Sequence, residues 1–164
     1  MNYPNYIIRE MKKDEFYLLD DFLYEAIFQR DDSNLVPREV IYDPSLRVYV
    51  DNFGGRDDYC LVAEYNNKIV GAVWTRIVPG YGSIDDTTPE LAISLYKDYR
   101  RKGIGTNLMN EMMSLVKNKG YKQISLSVQK DNYAVHMYED FGFNIIKTTA
   151  DEYIMLCLFA EDVH

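Results

Sequence analysis

The stretch that decides the fold is YRRKGIGT, residues 99–106, which lies between an apolar strand-like run and a long helical pattern. The first backbone N–H groups of a helix have no partner inside it, and the helix dipole favours negative charge at that end. Glycine has no Cβ to keep a phosphate away from the backbone, and the neighbouring basic residues add positive charge. We therefore expect this loop to hold a phosphate or a pyrophosphate.

Two common phosphate-binding patterns do not fit the loop. A P-loop has the pattern G-x-x-x-x-G-K-[ST], but no lysine precedes Thr106. A dinucleotide fingerprint needs a third glycine, and Leu108 stands in its place. The preceding elements also differ, because strands in an apparent meander come before the loop. The loop therefore calls for another kind of phosphate site.

Hydrophobic periodicity extends the interpretation to the whole chain. Strands are predicted over 6–11, 59–65, 68–77, 91–96, 122–128, 144–150 and 152–159, and helices after Asp14, between Pro44 and Asn52, from Ile104 to about Lys119, and within 132–143. Asp14 is expected to cap the first helix, and Asn66-Asn67 to form a two-residue hairpin turn. The order β-α-α-β-β-β-α-β-α-β-β indicates a mixed α/β sheet with helices on its faces. We expect residues 1–164 to form a single domain.

Composition argues against several classes of function. The net charge of −8 argues against a nucleic-acid partner, because phosphate binding needs a basic face. No apolar run approaches the roughly 20 residues that span a membrane, and the first residues lack a signal-peptide layout, so we expect a cytoplasmic protein without a membrane partner. Cys60 and Cys157 form no Cys-x-x-Cys pair, so we expect buried thiols and no metal site.

Two segments together resemble the signatures of the GNAT superfamily of N-acetyltransferases. The spacing Arg100-x-x-Gly103-x-Gly105 is similar to that family's acyl-CoA loop, [QR]-x-x-G-x-[GA]. The segment NYAVHMYEDFGF, residues 132–143, resembles the second signature, in which an Asn precedes a short helix, a Tyr follows six residues later, and Gly-Phe closes the segment. The two occur in the family's order and at its usual separation. The resemblance implies a GNAT-like α/β fold, with a mixed, mostly antiparallel seven-stranded sheet flanked by about four helices.

The sequence departs from the family pattern at four positions. Family members often have Pro where Lys97 stands and Gly where Arg101 stands, although Arg101 still supplies a backbone N–H. Tyr133 replaces a common Pro, and His136 replaces a common Arg or Lys. The last two changes bear on contacts to the nucleotide end of the cofactor.

The resemblance also implies a donor and a binding site for it. Acetyl-CoA would be the acetyl donor, and an amine would attack its thioester directly in a ternary complex. The backbone amides of residues 101–106 would hold the pyrophosphate, and the Leu95 backbone and Asn132 would contact the pantetheine arm. The residues so assigned to cofactor binding are Leu95, Arg100, Arg101, Lys102, Gly103, Ile104, Gly105, Thr106 and Asn132.

Two residues are candidates for proton transfer. Tyr138, at the family's tyrosine position, is the candidate acid, because a phenol with a pKa of about 10 can return a proton to a leaving thiolate. Glu90 is the candidate base, because it opens the fourth strand, where family members often carry a carboxylate. Asp85 and Asp86 are its rivals. A positioned carboxylate would raise the neutral fraction of an amine that is mostly protonated at pH 7.

The remaining titratable residues are weaker candidates. His136 lies two residues from Tyr138 on a helix and so faces another side, and we expect it at the surface or at the edge of the cofactor. His164 is terminal. No motif gives Cys60 or Cys157 a His partner, so we expect no acyl-cysteine intermediate.

The acceptor site is the least specified part of the sequence. The resemblance builds it from the first two helices, the loop before the fourth strand and the last two strands. These regions offer aromatic and acidic residues that would suit a cationic primary amine: Tyr24, Tyr42, Tyr49, Trp74, Tyr81, Asp57, Asp58, Asp85 and Asp86. Small amines, lysine side chains and peptide N-termini all stay open as acceptors, as do longer acyl donors and a homodimer.

Two other functions compete with the N-acetyltransferase. A non-catalytic acyl-CoA-binding sensor or regulatory module on the same fold would keep the glycine loop but could lose the acid and the base. The presence of Tyr138 and Glu90 favours the enzyme. A protein that uses the loop for a different nucleotide is the other alternative, and competition between ATP and acetyl-CoA would separate the two.

Overall fold

The computed structural model describes residues 5–27 and 35–160. His164 lies outside the described residues. The strands are β1 (Ile7–Glu10), β2 (Tyr59–Tyr65), β3 (Lys68–Arg76), β4 (Glu90–Leu95), β5 (Gln123–Gln129), β6 (Asn144–Thr148) and β7 (Glu152–Leu158). The α-helices are α1 (Leu19–Ala26), α2 (Pro44–Arg47), α3 (Ile104–Asn118) and α4 (Ala134–Asp140). Short 3-10 turns occupy Lys13–Leu18, Arg38–Tyr42 and Lys97–Tyr99.

The strands form one sheet in the order β1-β2-β3-β4-β5-β7-β6, which confirms the predicted mixed, mostly antiparallel fold. Every neighbouring pair is antiparallel except β4 and β5. The register of that parallel pair consists of Glu90 opposite Ser125 alone. Beyond this point the two strands are no longer paired, so the carboxyl-terminal part of β4 borders a gap in the sheet.

Strand β4 is central and carries a different core on each face. Leu91, Ile93 and Leu95 pack with the apolar cluster under α3 and α4. Ala92 packs with the cluster under α1 and α2, and on the same face Ser94 Oγ donates to the carbonyl of Phe22 at 2.7 Å. Both faces of β4 are buried, so its backbone meets other groups only at its edges. One edge pairs with β3, and the other borders the gap beyond Glu90.

Local sequence signals gave mixed results at the turns. The Asn66-Asn67 hairpin turn is confirmed, since both residues have the positive φ that this turn requires, 50° and 62°. The cap predicted at Asp14 is wrong, because Asp14 lies inside the 3-10 turn Lys13–Leu18. Instead the Glu15 carboxylate accepts a hydrogen bond from the Lys12 N–H at 2.7 Å. The helix predicted between Pro44 and Asn52 is the single turn α2.

A buried ion pair fastens the segment after α2 to the end of β3. Arg76 Nε donates to Asp58 Oδ1 at 3.0 Å, and both side chains are less than a tenth exposed. Arg76 Nη1 also donates to the carbonyls of Val48 and Asp51, at 3.0 and 2.7 Å. Because Arg76 lies opposite Glu90 in the sheet, this pair fixes the backbone around residue 49 next to the start of β4.

We expect Asp58→Ala to lower the free energy of unfolding by about 3 kcal/mol, because it leaves a buried guanidinium without its counter-charge. Chemical denaturation measures this loss. Asp86→Ala, at an exposed loop position, is the control and should change stability by less than about 0.5 kcal/mol. A loss below 1 kcal/mol for Asp58→Ala would contradict the role of the ion pair.

Candidate active site

The glycine loop has the backbone of an anion-binding turn. Arg101 and Gly103 both have left-handed φ angles, 62° and 86°, and α3 begins directly afterwards. The first helical hydrogen bond runs from the Asn107 N–H to the Gly103 carbonyl, so the amides of residues 104–106 have no acceptor within the helix. Backbone that alternates between left- and right-handed residues forms concavities of N–H groups that suit anions.

The left-handed φ of Arg101 explains why glycine suits this position better than a residue with a side chain. A left-handed φ favours glycine, and a residue with a Cβ there costs about 1 kcal/mol. At Gly103 a Cβ would meet nothing within 4 Å, so this glycine is required by its φ and not by lack of space. At Gly105 a Cβ would lie 3.4 Å from Leu95 Cδ1, which shows that the loop packs against the end of β4.

The side chain of Arg100 is engaged within the protein. Its Nε donates to the Leu95 carbonyl at 3.0 Å, and its Nη2 donates to Glu25 Oε2 at 2.8 Å. The Leu95 N–H remains directed towards the gap, because the Tyr96 N–H bonds the Val70 carbonyl of β3 and alternate residues point to opposite edges. Of the two backbone groups of Leu95, the N–H is therefore the one open to a pantetheine arm.

The two residues predicted in the second signature lie at and within α4. Asn132 Oδ1 accepts from the Ala134 N–H at 2.9 Å, so this side chain caps the helix. Tyr138 is 8% exposed, and its ring lies edge-on to Phe143 with centroids 6.0 Å apart. Burial raises the pKa of Tyr138 to about 12, which keeps the phenol protonated at neutral pH. No hydrogen bond joins Tyr138 to Glu90 among the residues that the structure describes.

Glu90 is a buried carboxylate, only 4% exposed. Its Oε2 accepts from Tyr49 Oη at 2.5 Å and from the Gly82 N–H at 3.1 Å. Its Oε1 is buried and has no partner within residues 5–27 and 35–160. Burial raises the pKa of Glu90 to about 7, against the two donors that lower it and with the negative charge of Glu152 that raises it. A base with this proton affinity is matched to neutral pH.

The rival carboxylates have other surroundings. Asp85 Oδ1 accepts from the N–H groups of Thr87 and Thr88, at 3.0 and 2.8 Å. Hydrogen bonds from Thr88 and Thr87 hold the pKa of Asp85 below its usual value, so this residue shapes the turn before β4. Asp85 therefore lacks the raised proton affinity of Glu90. Asp86 is exposed on the same loop.

The cysteines and His136 lie apart from this chemistry. Burial raises the pKa of the Cys60 and Cys157 thiols, which suppresses the thiolate needed for a nucleophile. His136 is exposed, and its ring packs on Tyr133 with centroids 4.8 Å apart. Within the described ranges no three His, Cys, Asp or Glu residues group as metal ligands, and no helix is long and apolar enough to cross a membrane.

The acceptor residues predicted from the sequence divide into buried and exposed sets. Trp74 is buried, and its Nε1 donates to the Tyr49 carbonyl at 3.0 Å. Asp57 accepts from the Tyr121 hydroxyl, and Asp58 is held by Arg76. Tyr42 and Tyr81 are exposed, as are Asp85 and Asp86, and Tyr49 lies against Glu90. The Tyr24 hydroxyl donates to the Val36 carbonyl at 2.6 Å. The exposed members of this set are the ones most open to an acceptor.

The role of two glycines in the loop between β3 and β4 is the part of the site that sequence reasoning missed. A Cβ on Gly80 would lie 2.4 Å from Glu90 Oε1, and one on Gly82 would lie 2.6 Å from the Leu126 backbone. The two glycines therefore let the loop pass directly over the carboxylate and β5. Their spacing in Pro79-Gly80-Tyr81-Gly82 was the available signal, because glycine marks close backbone approach.

We expect Glu90→Gln to change how stability depends on pH. With its pKa raised from 4.5 to about 7, folded Glu90 binds more protons than the unfolded chain. Its contribution is fully present below pH 4.5 and is lost as the pH rises through 7. Between pH 5 and 8 the free energy of unfolding of the wild type should therefore fall by roughly 2–3 kcal/mol more than that of Glu90→Gln.

Chemical denaturation at several pH values measures this difference. Glu39→Gln, at an exposed position, gives the effect of removing a surface carboxylate. Parallel pH profiles for wild type and Glu90→Gln would show that Glu90 has an ordinary proton affinity.

Known proteins match this chain in sequence over most of the site. The sequence model of the Acetyltransferase (GNAT) family matches residues 15–143. An N-alpha-acetyltransferase from Saccharolobus solfataricus is 34% identical over 101 residues, which are 56% of this chain and 60% of that protein. N-alpha-acetyltransferase 50 from Danio rerio is 32% identical over 94 residues, which are 56% of this chain and 55% of that protein. The matched region thus spans little more than half of the length of these relatives.

Solved structures match the fold over nearly the whole chain. PaiA N-acetyltransferase from Thermoplasma acidophilum, in complex with coenzyme A, has a TM-score of 0.69 at 21% identity and covers 94% of this chain and 99% of that one. A GNAT-family acetyltransferase from Streptococcus pneumoniae has a TM-score of 0.67 at 23% identity, covering 94% and 100%. The family match includes both Glu90 and Tyr138, and the fold agrees with it. This chain belongs to the GNAT family of acetyltransferases.

Proposed function

We propose that the protein is an N-acetyltransferase, which transfers the acetyl group of acetyl-CoA to a primary amine by direct attack in a ternary complex. One observation carries the proposal beyond family membership. A buried carboxylate, Glu90, has a pKa of about 7 and one oxygen without a hydrogen-bond partner among the described residues, and it lies at the closed end of the gap between β4 and β5. A binding-only module would have no need of such a group.

The donor would lie along the edge of β4. Its pyrophosphate would be held by the amides of residues 101–106, where the positive charge of Arg101 and Lys102 adds attraction. The pantetheine arm would run down the gap past the Leu95 N–H and Asn132. Strand β4 is about 17 Å long from Glu90 to Leu95, so an extended arm would bring the thioester towards Glu90.

The reaction removes two protons from the acceptor nitrogen and gives one to sulfur. Glu90 Oε1 takes the first proton from the acceptor ammonium, and the neutral amine then attacks the thioester carbonyl. When the carbon–sulfur bond breaks, the Tyr138 hydroxyl gives the thiolate its proton, and the second proton on the nitrogen restores the phenol. The raised pKa of Tyr138 keeps the phenol protonated at neutral pH before this step.

The acceptor proposed first is the α-amino group of a peptide or protein N-terminus. Two relatives carry the name N-alpha-acetyltransferase, which points to this class. Proton affinities support the same choice, because an α-amine has a pKa of about 8 and a lysine amine about 10.4. Glu90, with a pKa of about 7, is nearly matched to the first and is about three units below the second.

We also propose a cytoplasmic location and a homodimer. Both cysteines are free and buried, which fits a reducing compartment. Strand β6 is an edge strand whose five residues are all exposed, with Ile145 and Ile146 about half exposed. Unpaired edges of this kind are suited to pairing with a second copy.

Calorimetry tests the donor site, with ATP and NAD as control ligands. We expect micromolar binding of acetyl-CoA alone. Gly103→Ala should weaken it by about tenfold or more, because a Cβ strains the left-handed turn that presents the amides. Gly120→Ala is the matched control, since it also has a positive φ of 95° and an empty surrounding, but lies at the other end of α3. Both variants should lose about 1 kcal/mol of stability, and equal loss of affinity would contradict the assignment of the loop.

Release of the CoA thiol tests catalysis, with acetyl-CoA and three acceptors: a tetrapeptide with a free N-terminus, an Nα-blocked lysine peptide and spermidine. We expect Tyr138→Phe to lower kcat by about 10²-fold and to leave the Kd of acetyl-CoA unchanged, because only the proton donor is lost. Tyr17→Phe, an exposed tyrosine, is the control. An unchanged kcat would remove Tyr138 as the acid. Tight donor binding with no turnover on any amine would instead favour the acyl-CoA sensor.

A further inference from the structure

A base that is buried in a protein needs a fixed rotamer, and the structure shows what fixes Glu90. Tyr49 Oη donates to Oε2 at 2.5 Å. The same hydroxyl accepts a hydrogen bond from the Tyr81 N–H at 2.8 Å, so its own orientation is set. The Gly82 N–H gives Oε2 a second donor at 3.1 Å. One oxygen of the carboxylate is therefore fully occupied.

The other oxygen has a different environment. Oε1 is buried and has no hydrogen-bond partner among the described residues. A Cβ on Gly80 would lie 2.4 Å from Oε1 and 2.6 Å from Tyr49 Oη. Glycine at this position therefore leaves room for the carboxylate and the phenol to meet. An unpartnered carboxylate oxygen is costly to bury, which makes it the group on which a proton or a donor would be most strongly bound.

We propose that Tyr49 is a positioning residue, whose hydroxyl holds Glu90 Oε2 and so leaves Oε1 as the oxygen that takes the proton of the acceptor amine. The inference rests on the proposed function, in which Glu90 is the base. It adds a residue that no sequence motif assigns, and it assigns different roles to the two carboxylate oxygens. Tyr49 acts through Glu90 and does not touch the reacting atoms.

The other side chains around Glu90 have partners of their own and do not hold its carboxylate. Arg76 is its neighbour on β3, but the guanidinium is bonded to Asp58 and to backbone carbonyls. Ser125 on β5 donates to the Gly82 carbonyl at 2.7 Å. Glu152 on β7 contributes only repulsion, which raises the pKa of Glu90. The Ser127 hydroxyl, on β5, lies near both Tyr49 and Glu152 and lowers the pKa of each.

Burial also keeps Tyr49 in the role of donor. Burial, and then the charge of Glu90, raise the pKa of the Tyr49 hydroxyl above its usual value, so the proton stays on the phenol. A donor to the ionised carboxylate lowers its pKa, whereas a nearby negative charge raises it. Tyr49 therefore lowers the pKa of Glu90 and Glu152 raises it. Removing one or the other should shift that pKa in opposite directions, which a test can measure.

The test is a titration of Glu90 by NMR in protein with carbon-13 in its glutamate carboxyl groups. The Glu90 resonance is the one that Glu90→Gln lacks. Tyr49→Phe keeps the buried ring and removes the donor, so the midpoint should rise by about one pH unit or more. Glu152→Gln removes the repulsion, so the midpoint should fall. Tyr17→Phe should leave it unchanged.

A second variant, Gly80→Ala, disturbs the hydrogen bond between Tyr49 and Glu90 without changing the aromatic ring. The added Cβ would lie too close to both side chains, so one or both must move, and the midpoint should also rise. A midpoint that stays unchanged or falls in Tyr49→Phe and Gly80→Ala would overturn the inference, because a packing role alone moves stability and leaves the carboxyl titration in place.

Kinetics with the tetrapeptide acceptor separate this inference from the proposed function. In Tyr49→Phe the acid limb of the pH profile of kcat/KM should move to higher pH, by as much as the NMR midpoint does. The KM for acetyl-CoA should stay unchanged. If Glu152→Gln moves the limb downward and Tyr49→Phe does not move it, Glu90 is the base and the role of Tyr49 is wrong. If no variant moves the limb and Glu90→Gln keeps full activity, the base of the proposed function is wrong, and the inference falls with it.

Discussion

The site depends on one short parallel junction in an otherwise antiparallel sheet. Strands β4 and β5 pair only at Glu90 and Ser125, and the chain then uses α3 to cross between them. A parallel neighbour requires such a crossover, and this one begins at the glycine loop. The same feature thus creates the gap beside β4 and places a helix N-terminus at its open end, so a long anionic ligand has one natural direction of entry.

The closed end of the gap is acidic, whereas its open end, at the glycine loop, is basic. Positive charge and free amides gather at residues 101–106, whereas Glu90 and Glu152 lie near the closed end. Arg76, the β3 partner of Glu90, is paired with Asp58 and so does not neutralise Glu90. Within the described residues Glu90 forms no ion pair, and a carboxylate buried in this way keeps a high proton affinity.

The segment after α2 connects β3 to the loop that covers Glu90. Trp74 and Arg76, neighbours in β3, both donate to carbonyls of residues 48–51. They fix the backbone from which Tyr49 reaches Glu90, and Tyr49 in turn holds the loop at Tyr81. The packing of one short helix is therefore coupled to the orientation of the carboxylate, across elements that are far apart in sequence.

The sequence by itself determined the element order, the hairpin at Asn66-Asn67 and the glycine loop, because each depends on local periodicity or on a backbone angle. It also singled out Glu90 and Tyr138 as candidates, through the family resemblance. Only the tertiary structure decided that one oxygen of Glu90 is occupied while the other has no partner among the described residues, that Arg100 is engaged with Glu25, and that Trp74 belongs to the core. These properties depend on contacts that no local pattern encodes, such as Tyr49 with Glu90, 41 positions apart, and Glu25 with Arg100, 75 positions apart.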